Sequence, residues 1–166
     1  MEHGLDERSA LHGYLGATYK TYDIRIFKSQ YRLAKTCEEL LKFAEAEELY
    51  KDSLKGLCHV LETDEHAELI PCIDGLATTL HQMGEKRYQE CLGVYQRLLQ
   101  LQNKFVGELE PSTLTVINRI ALVYKDMNLL KEAEAICMAS LENCTKVMGK
   151  DDPVTQQCVE IVAFIR

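Results

Sequence analysis

The sequence predicts an all-α chain of stacked antiparallel helix pairs, and three observations carry that prediction. The stretch "GELEPST" at Gly107–Thr113 returns as "GKDDPVT" at Gly149–Thr155, with glycine, proline and threonine repeated 42 positions later. Between these stretches, Leu114, Ile117, Ile120, Ala121, Tyr124 and Met127 follow the three-and-four spacing of one helical face. Leu130, Ala133, Ile136, Cys137, Leu141, Cys144, Val147 and Met148 do the same. The third observation is self-similarity beyond the opening motif. "YQECLGVYQRLL" (Tyr88–Leu99) overlies "LKEAEAICMASL" (Leu130–Leu141) at the same 42-residue offset, and "FAEAEELYKDSL" (Phe43–Leu54) is a further copy. A period of this size marks helical hairpins that bury their apolar faces by stacking on one another.

Taken in order, the chain reads as one domain over 1–166 that begins and ends in mid-repeat. "ERSAL" (Glu7–Leu11) reads as the second helix of a partial unit at about 5–22, as expected of a fragment of a longer protein or of an end that something covers. Complete units follow at about 24–62, 66–107 and 111–149, and a lone first helix occupies 153–166. The first helices carry "YRLAKTCEELL", "DGLATTLHQMG" and "NRIALVYKDMN", anchored on Ala34, Ala77 and Ala121. Their partners are anchored on Ala46, Cys91 and Ala133. The anchors are 12 residues apart in the first and third units and 14 in the second, which places two extra residues in the "GEKRY" turn. At the seams, Gly107 and Gly149 accept the left-handed conformation that closes a helix C-terminus, Asp152 is an N-cap, and Pro111 and Pro153 suit a first turn. The seam "ETDEHAE" (Glu62–Glu68) lacks both glycine and proline, so the following helix starts near Ile70, just before Pro71, or bends there.

Composition removes several function classes. A net charge of -7 without a dense basic run is the wrong footprint for nucleic acid. No stretch reaches the roughly 18 to 20 apolar residues of a membrane span. Seven cysteines with no CxxC pair point to a reducing compartment, and we expect a cytoplasmic protein. Cys37, Cys91, Cys137 and Cys144 fall on apolar helix positions, where packing rather than nucleophilic chemistry is expected. "CHVLETDEH" offers Cys58, His59, Glu62 and His66, but His59 and His66 straddle a seam and no second cluster completes a zinc site. Gly75, Gly84 and Gly93 are isolated and form no phosphate loop. The expectation is a protein with no catalytic activity, metal or cofactor.

The alanine pairs, Tyr88 and Tyr124, the "GEKRY" turn, "KEAEAIC" and the proline-bearing seams together resemble tetratricopeptide repeats of the 42-residue, kinesin-light-chain type over nearly the whole chain. The chain departs from that pattern at Leu41 and Asn128, which replace the inter-helix glycine, and at Cys91, which replaces the second alanine. The resemblance implies a right-handed solenoid whose first helices line a concave groove, and an adaptor or scaffold that holds an extended peptide or partner segment there. Carried over by position, the groove set is Lys28, Tyr31, Arg32, Lys35 and Glu38; Asp74, Thr78 and His81; and Asn118, Arg119, Leu122 and Lys125. The resemblance gives Asn118 the role of bonding a bound peptide's backbone, so Asn118→Ala is expected to weaken binding with little change in stability. Basic residues outnumber Glu38 and Asp74 in the set, which suits an acidic or mixed acidic and aromatic peptide. Family members that clamp a chaperone's terminal carboxylate carry a distinct residue set. Here Tyr31, Lys35, Gly75, Thr115 and Arg119 stand at those positions and only Arg119 agrees, so that subtype is not expected. The alternative is a structural module that self-associates through its apolar end, "CVEIVAFIR", with Val159, Ile161, Val162, Phe164 and Ile165.

Overall fold

The structure, a computed structural model, describes residues 24–165, and the described residues are helical with no strand. The expected partial unit at about 5–22 lies outside them. The chain forms two compact units that divide after Asp64, within the seam that lacks glycine and proline.

The first unit pairs α1 (24–39) with α2 (Phe43–Leu61). Between them Leu41 sits at φ 59°, with its amide on the Glu38 carbonyl and the Lys42 amide on the Cys37 carbonyl, both at 2.9 Å. These two bonds are a Schellman closure, the turn expected of the missing glycine, here made by leucine. Glu62 closes α2 in the same left-handed way at φ 55°. The pair is held by Ala34 and Ala46, both without exposure, and by the buried Tyr50, whose hydroxyl donates to Glu38 at 2.9 Å. Ser53 donates to the Phe27 carbonyl at 2.8 Å. One turn on, Gly56 leaves room for the Phe27 ring, which a Cβ would meet at 2.0 Å.

The second unit runs α3 (Ile70–Gln82), α4 (Tyr88–Phe105), α5 (Pro111–Asp126), α6 (Leu130–Val147) and α7 (Pro153–Ile165). A 3₁₀ turn at Ala67–Leu69 leads into α3, capped by His66, whose Nδ1 accepts the Glu68 amide at 3.1 Å. Of the two starts left open for this helix, the chain takes the one at Ile70, with Pro71 in its first turn. The longer "GEKRY" connection accommodates its two extra residues in a second 3₁₀ turn, the three residues Glu85–Arg87, after Gly84 at φ 89°. Gly107 and Gly149 take φ 130° and 95°, and Asp152 Oδ1 accepts the Val154 amide at 2.9 Å at the start of α7. The seam threonine has a task of its own, because Thr113 Oγ1 donates to the Gly107 carbonyl at 2.7 Å and ties the start of α5 to the end of α4.

Packing alternates along this unit: α3 lies on α4, α4 on α5, α5 on α6 and α6 on α7, with α5 also touching α7. First helices α3, α5 and α7 therefore form one layer, and α4 and α6 the other. Ala77, Ala121 and Ala133 are fully buried at the crossings. Cys91, in the place of an alanine, is also fully buried, and its thiol donates to the Ala77 carbonyl at 3.3 Å, anchor to anchor. The thiols expected in the core are there: Cys37, Cys91, Cys137 and Cys144 are buried, as are Cys72 and Cys158.

Leu41 generates a test. Its side chain is 74% exposed, so it contributes little packing while bearing the cost of about 1 to 2 kcal/mol that a left-handed β-carbon imposes. Glycine removes that strain but is more disordered when unfolded by about 0.5 to 1 kcal/mol. Leu41→Gly is expected to stabilise by about 0.5 to 1 kcal/mol, read as a higher urea midpoint at unchanged slope. A lower midpoint refutes the strain assignment.

Candidate functional site

Each helix positions its part of the inferred binding face through its anchor alanine, which fixes which side turns inward. On the α3/α5/α7 layer the structure brings Asp74, Thr78 and Arg119 together. Arg119 Nη1 donates to Asp74 Oδ1 at 2.5 Å and stands 3.5 Å from Thr78 Oγ1. Thr78 also donates to the Asp74 carbonyl at 2.9 Å within its own helix. Beneath them Tyr95 is buried, and its phenol is pushed up to about 12 by burial, with its hydrogen-bond interaction with Thr78 opposing. One turn further, His81 Nε2 is 2.8 Å from Asp126 Oδ2, and its ring stands edge-on to Tyr88 with centroids 5.6 Å apart. Burial first, and the Asp126 charge second, raise the Tyr88 phenol above its ordinary value. Lys125 Nζ lies 5.5 Å from the ring centroid of Phe164 on α7, a cation–π geometry. Leu122 is half-buried against the apolar core formed with α6 and α7.

Asn118 stands apart from the expectation placed on it. It is only 2% exposed. Its Nδ2 donates to Gln157 Oε1 at 2.7 Å and its Oδ1 accepts from the Cys158 thiol at 3.2 Å. Both ends of the amide are engaged with α7, so this residue joins two first helices. The expectation that Asn118→Ala leaves stability nearly unchanged is corrected accordingly.

In the first unit, Lys28, Arg32 and Lys35 are exposed on α1. Tyr31 and Glu38 also serve the packing of α1 on α2: the Tyr31 ring lies 6.0 Å from that of Tyr50, and Glu38 holds the Tyr50 hydroxyl. The excess of positive charge inferred from sequence is reduced where it can be checked, because Arg119 faces Asp74 and His81 faces Asp126.

Asp126, Gln157 and Phe164 were missed in the sequence. A signal existed for two of them: Phe164 falls 42 residues after Leu122, and Gln157 falls 42 after Thr115. Extending the register one helix further names both. Among the described residues, no group of three or more His, Cys, Asp or Glu is placed to hold a metal. No described helix is long and apolar enough to cross a membrane.

The thiols are governed by burial. Desolvation pushes Cys91 up to about 12 and Cys144 up to about 11. Cys137 and Cys158 share a hydrogen bond that raises Cys158 and lowers Cys137.

A tetratricopeptide-repeat family model matches residues 113–154, the unit built on α5 and α6. The crystal structure of nearly identical TPR-like repeats of a Podosopora anserina kinesin light chain superposes with a TM-score of 0.69 at 19% identity, over 86% of this chain and 66% of that one. BtubC (BKLC) from P. vanneervenii superposes with a TM-score of 0.65 at 15% identity, over 92% of this chain and 65% of that one. The "Clustered mitochondria protein homolog" of Candida albicans is 27% identical over 117 residues, which are 70% of this chain and 8% of that relative's length. The fold is therefore the tetratricopeptide-type helical repeat of the kinesin-light-chain kind, the architecture anticipated from the 42-residue register.

Two tests follow from the site. Asn118→Ala removes two buried hydrogen bonds, each worth about 0.5 to 1.5 kcal/mol, so a loss of roughly 1 to 3 kcal/mol is expected in chemical denaturation. An unchanged midpoint refutes its bridging role. For the thiols, Cys91 and Cys144 bind their protons more tightly folded than unfolded, so their contribution is full below the unfolded thiol pKa and declines as pH rises toward the folded values. Stability should fall above about pH 9, and less steeply in Cys91→Ala, when urea midpoints are followed against pH.

Proposed function

We propose that this chain is a non-catalytic adaptor that holds an extended peptide or partner segment against the layer of α3, α5 and α7. Folds of the tetratricopeptide type generally mediate protein–protein interaction. The observation that carries the finer reading is the ordered polar face on that layer. Arg119 is fixed by Asp74, and His81 by Asp126, across adjacent first helices. Lys125 and Phe164 continue the face onto α7, where Phe164 is 69% exposed. Side chains already held in one geometry lose less freedom when a ligand arrives, which favours affinity.

The same residues define the ligand chemistry we favour. Lys125 supplies a positive charge, and Phe164 a ring for stacking. Arg119 is engaged by Asp74, so an acidic ligand group must compete for it. A mixed acidic and aromatic segment fits this face better than a uniformly acidic one. We place the protein in the cytoplasm, on the strength of its cysteine content. The name of the Candida albicans relative makes mitochondrial association the second location to examine.

A second reading rests on α7, whose Val159 and Phe164 are 49% and 69% exposed. In that reading the chain self-associates through this helix. Sedimentation over a range of concentrations separates the two: dimers dissolved by Val159→Lys support it, and a monomer at all concentrations refutes it.

The adaptor reading is tested with peptides selected from a displayed random library for binding to the protein. Phe164→Glu should weaken selected acidic and aromatic peptides by about tenfold, the loss of one exposed anchor. Lys125→Glu should act mainly on association rate and flatten the salt dependence. Ala139→Arg, on the opposite layer, should change neither. Selected peptides that ignore both variants on the α5/α7 face refute the assignment.

A further inference from the structure

The opposite side of the second unit carries its own site. Helices α4 and α6 each pack on α5 and leave between them a cleft of about 600 Å³. Its floor is a row along α5: Leu114, Ile117, Ile120 and Tyr124. The spacing of that row is three, three and four residues along one face of α5; Leu114 and Ile120 are themselves buried, and Ile117 and Tyr124, which also flank the core shared with α6 and α7, are the partly exposed members. The walls are uncharged, with the amides of Gln96 and Asn103 on α4 and Asn143 on α6 at the rim. No lysine or arginine lines the cleft, and its one ionisable carboxylate is Glu108, at the α4–α5 seam beside the 56% exposed Leu109.

We propose that this cleft is a second binding site, which takes an amphipathic helix from a partner protein, aliphatic along one face and carrying a basic residue at the end beside Glu108. Three features select this occupant. The row from Leu114 to Tyr124 spans about 15 Å at the helical rise, which matches about three turns of a docked helix and its anchors at i, i+3 and i+7. A helix satisfies its own backbone, so it needs from its walls only the sparse amides that are present, whereas an extended strand needs a continuous series of partners. Glu108 is carried on an acidic protein of net charge -7, so the complementary charge at that end is positive. The site lies on the layer opposite the proposed peptide face and does not depend on it.

The test uses fluorescein-labelled synthetic peptides of about sixteen residues, alanine- and glutamine-rich, with leucines at i, i+3, i+7 and i+10. Arginine is placed at the N-terminus of one probe and the C-terminus of another, and a third carries glutamine at both ends. Anisotropy titration should show saturable binding, with one arginine-tipped probe favoured over the glutamine-tipped one. Ala139→Arg, at an exposed wall position, should lower affinity at least about tenfold. Glu108→Lys should remove the arginine preference and leave the glutamine-tipped probe unaffected. Phe164→Glu, on the other layer, should change nothing, which separates failure here from failure of the peptide face. Thermal melts of each variant establish that it is folded. Absence of binding, binding unaffected by Ala139→Arg, or equal binding of a proline-interrupted probe of the same composition overturns the proposal.

Discussion

The close crossing of paired helices at small residues is the constraint on which the rest of the structure depends. Ala34, Ala46, Ala77, Ala121 and Ala133 are without exposure, because only a side chain of that size lets two helix backbones come together at the short end of the usual 8 to 10 Å separation. A larger group would force the axes apart, and overpacking of this kind costs about 1 to 3 kcal/mol. Cys91 shows how far the rule extends. Its extra sulfur is accommodated because the thiol donates to the Ala77 carbonyl, converting an overpacked contact into a hydrogen bond between the two anchors. Once the crossings are set, the direction of each helix follows, and with it the identity of the residues in each layer.

The connections obey geometry more strictly than residue type. Glycine stands at Gly84, Gly107 and Gly149 with positive φ, and the sequence marked those places correctly. The same left-handed turn is made by Leu41, Glu62 and Asn128 without glycine. Asn128 repeats the closure of Leu41, with its amide on the Lys125 carbonyl and the Leu129 amide on that of Tyr124, at 2.9 and 2.8 Å. These carbonyls would otherwise lack partners at the end of a helix. Two backbone hydrogen bonds and the packing of both helices outweigh the strain of one β-carbon, so residues that read as departures leave the hairpin intact. A local propensity was legible, and the tertiary demand that overrides it was not.

The binding face was legible in a similarly uneven way. Register placed Asp74, Thr78, His81, Arg119 and Lys125 on one layer, because the anchor alanines set the inward side of each helix. The partnerships between helices were hidden. Arg119 meets Asp74 and His81 meets Asp126 at a separation of 45, not 42: the two residues added in the α3–α4 turn set the anchors Ala77 and Ala121 44 apart, and each contact reaches one position further along α5. Asn118 exposes a further limit. Its position two residues before the Ile120–Ala121 pair directs it toward the neighbouring first helix, and whether it serves a ligand or the fold depends on what that neighbour presents. Gln157 and Cys158 present an acceptor and a donor, which together use both ends of the amide.

The two layers of the second unit consequently offer partners different physics. Between α3 and α5, Arg119 and Asp74 form a charge pair at side chains more than a third exposed, where solvent keeps their attraction modest and salt weakens it further. A ligand there gains by exchanging one ion pair for another, which favours discrimination among charged sequences over raw affinity. Between α4 and α6 the lining is apolar with neutral amides, so binding energy must come from area removed from water and depends little on salt. A chain built from one repeated hairpin thus separates a polar recognition surface from an apolar one simply by turning its first and second helices to opposite sides. Because the surfaces share α5, which contributes Arg119 and Lys125 to one and Leu114 and Ile120 to the other, a shift of that helix on its anchor Ala121 would be felt by both.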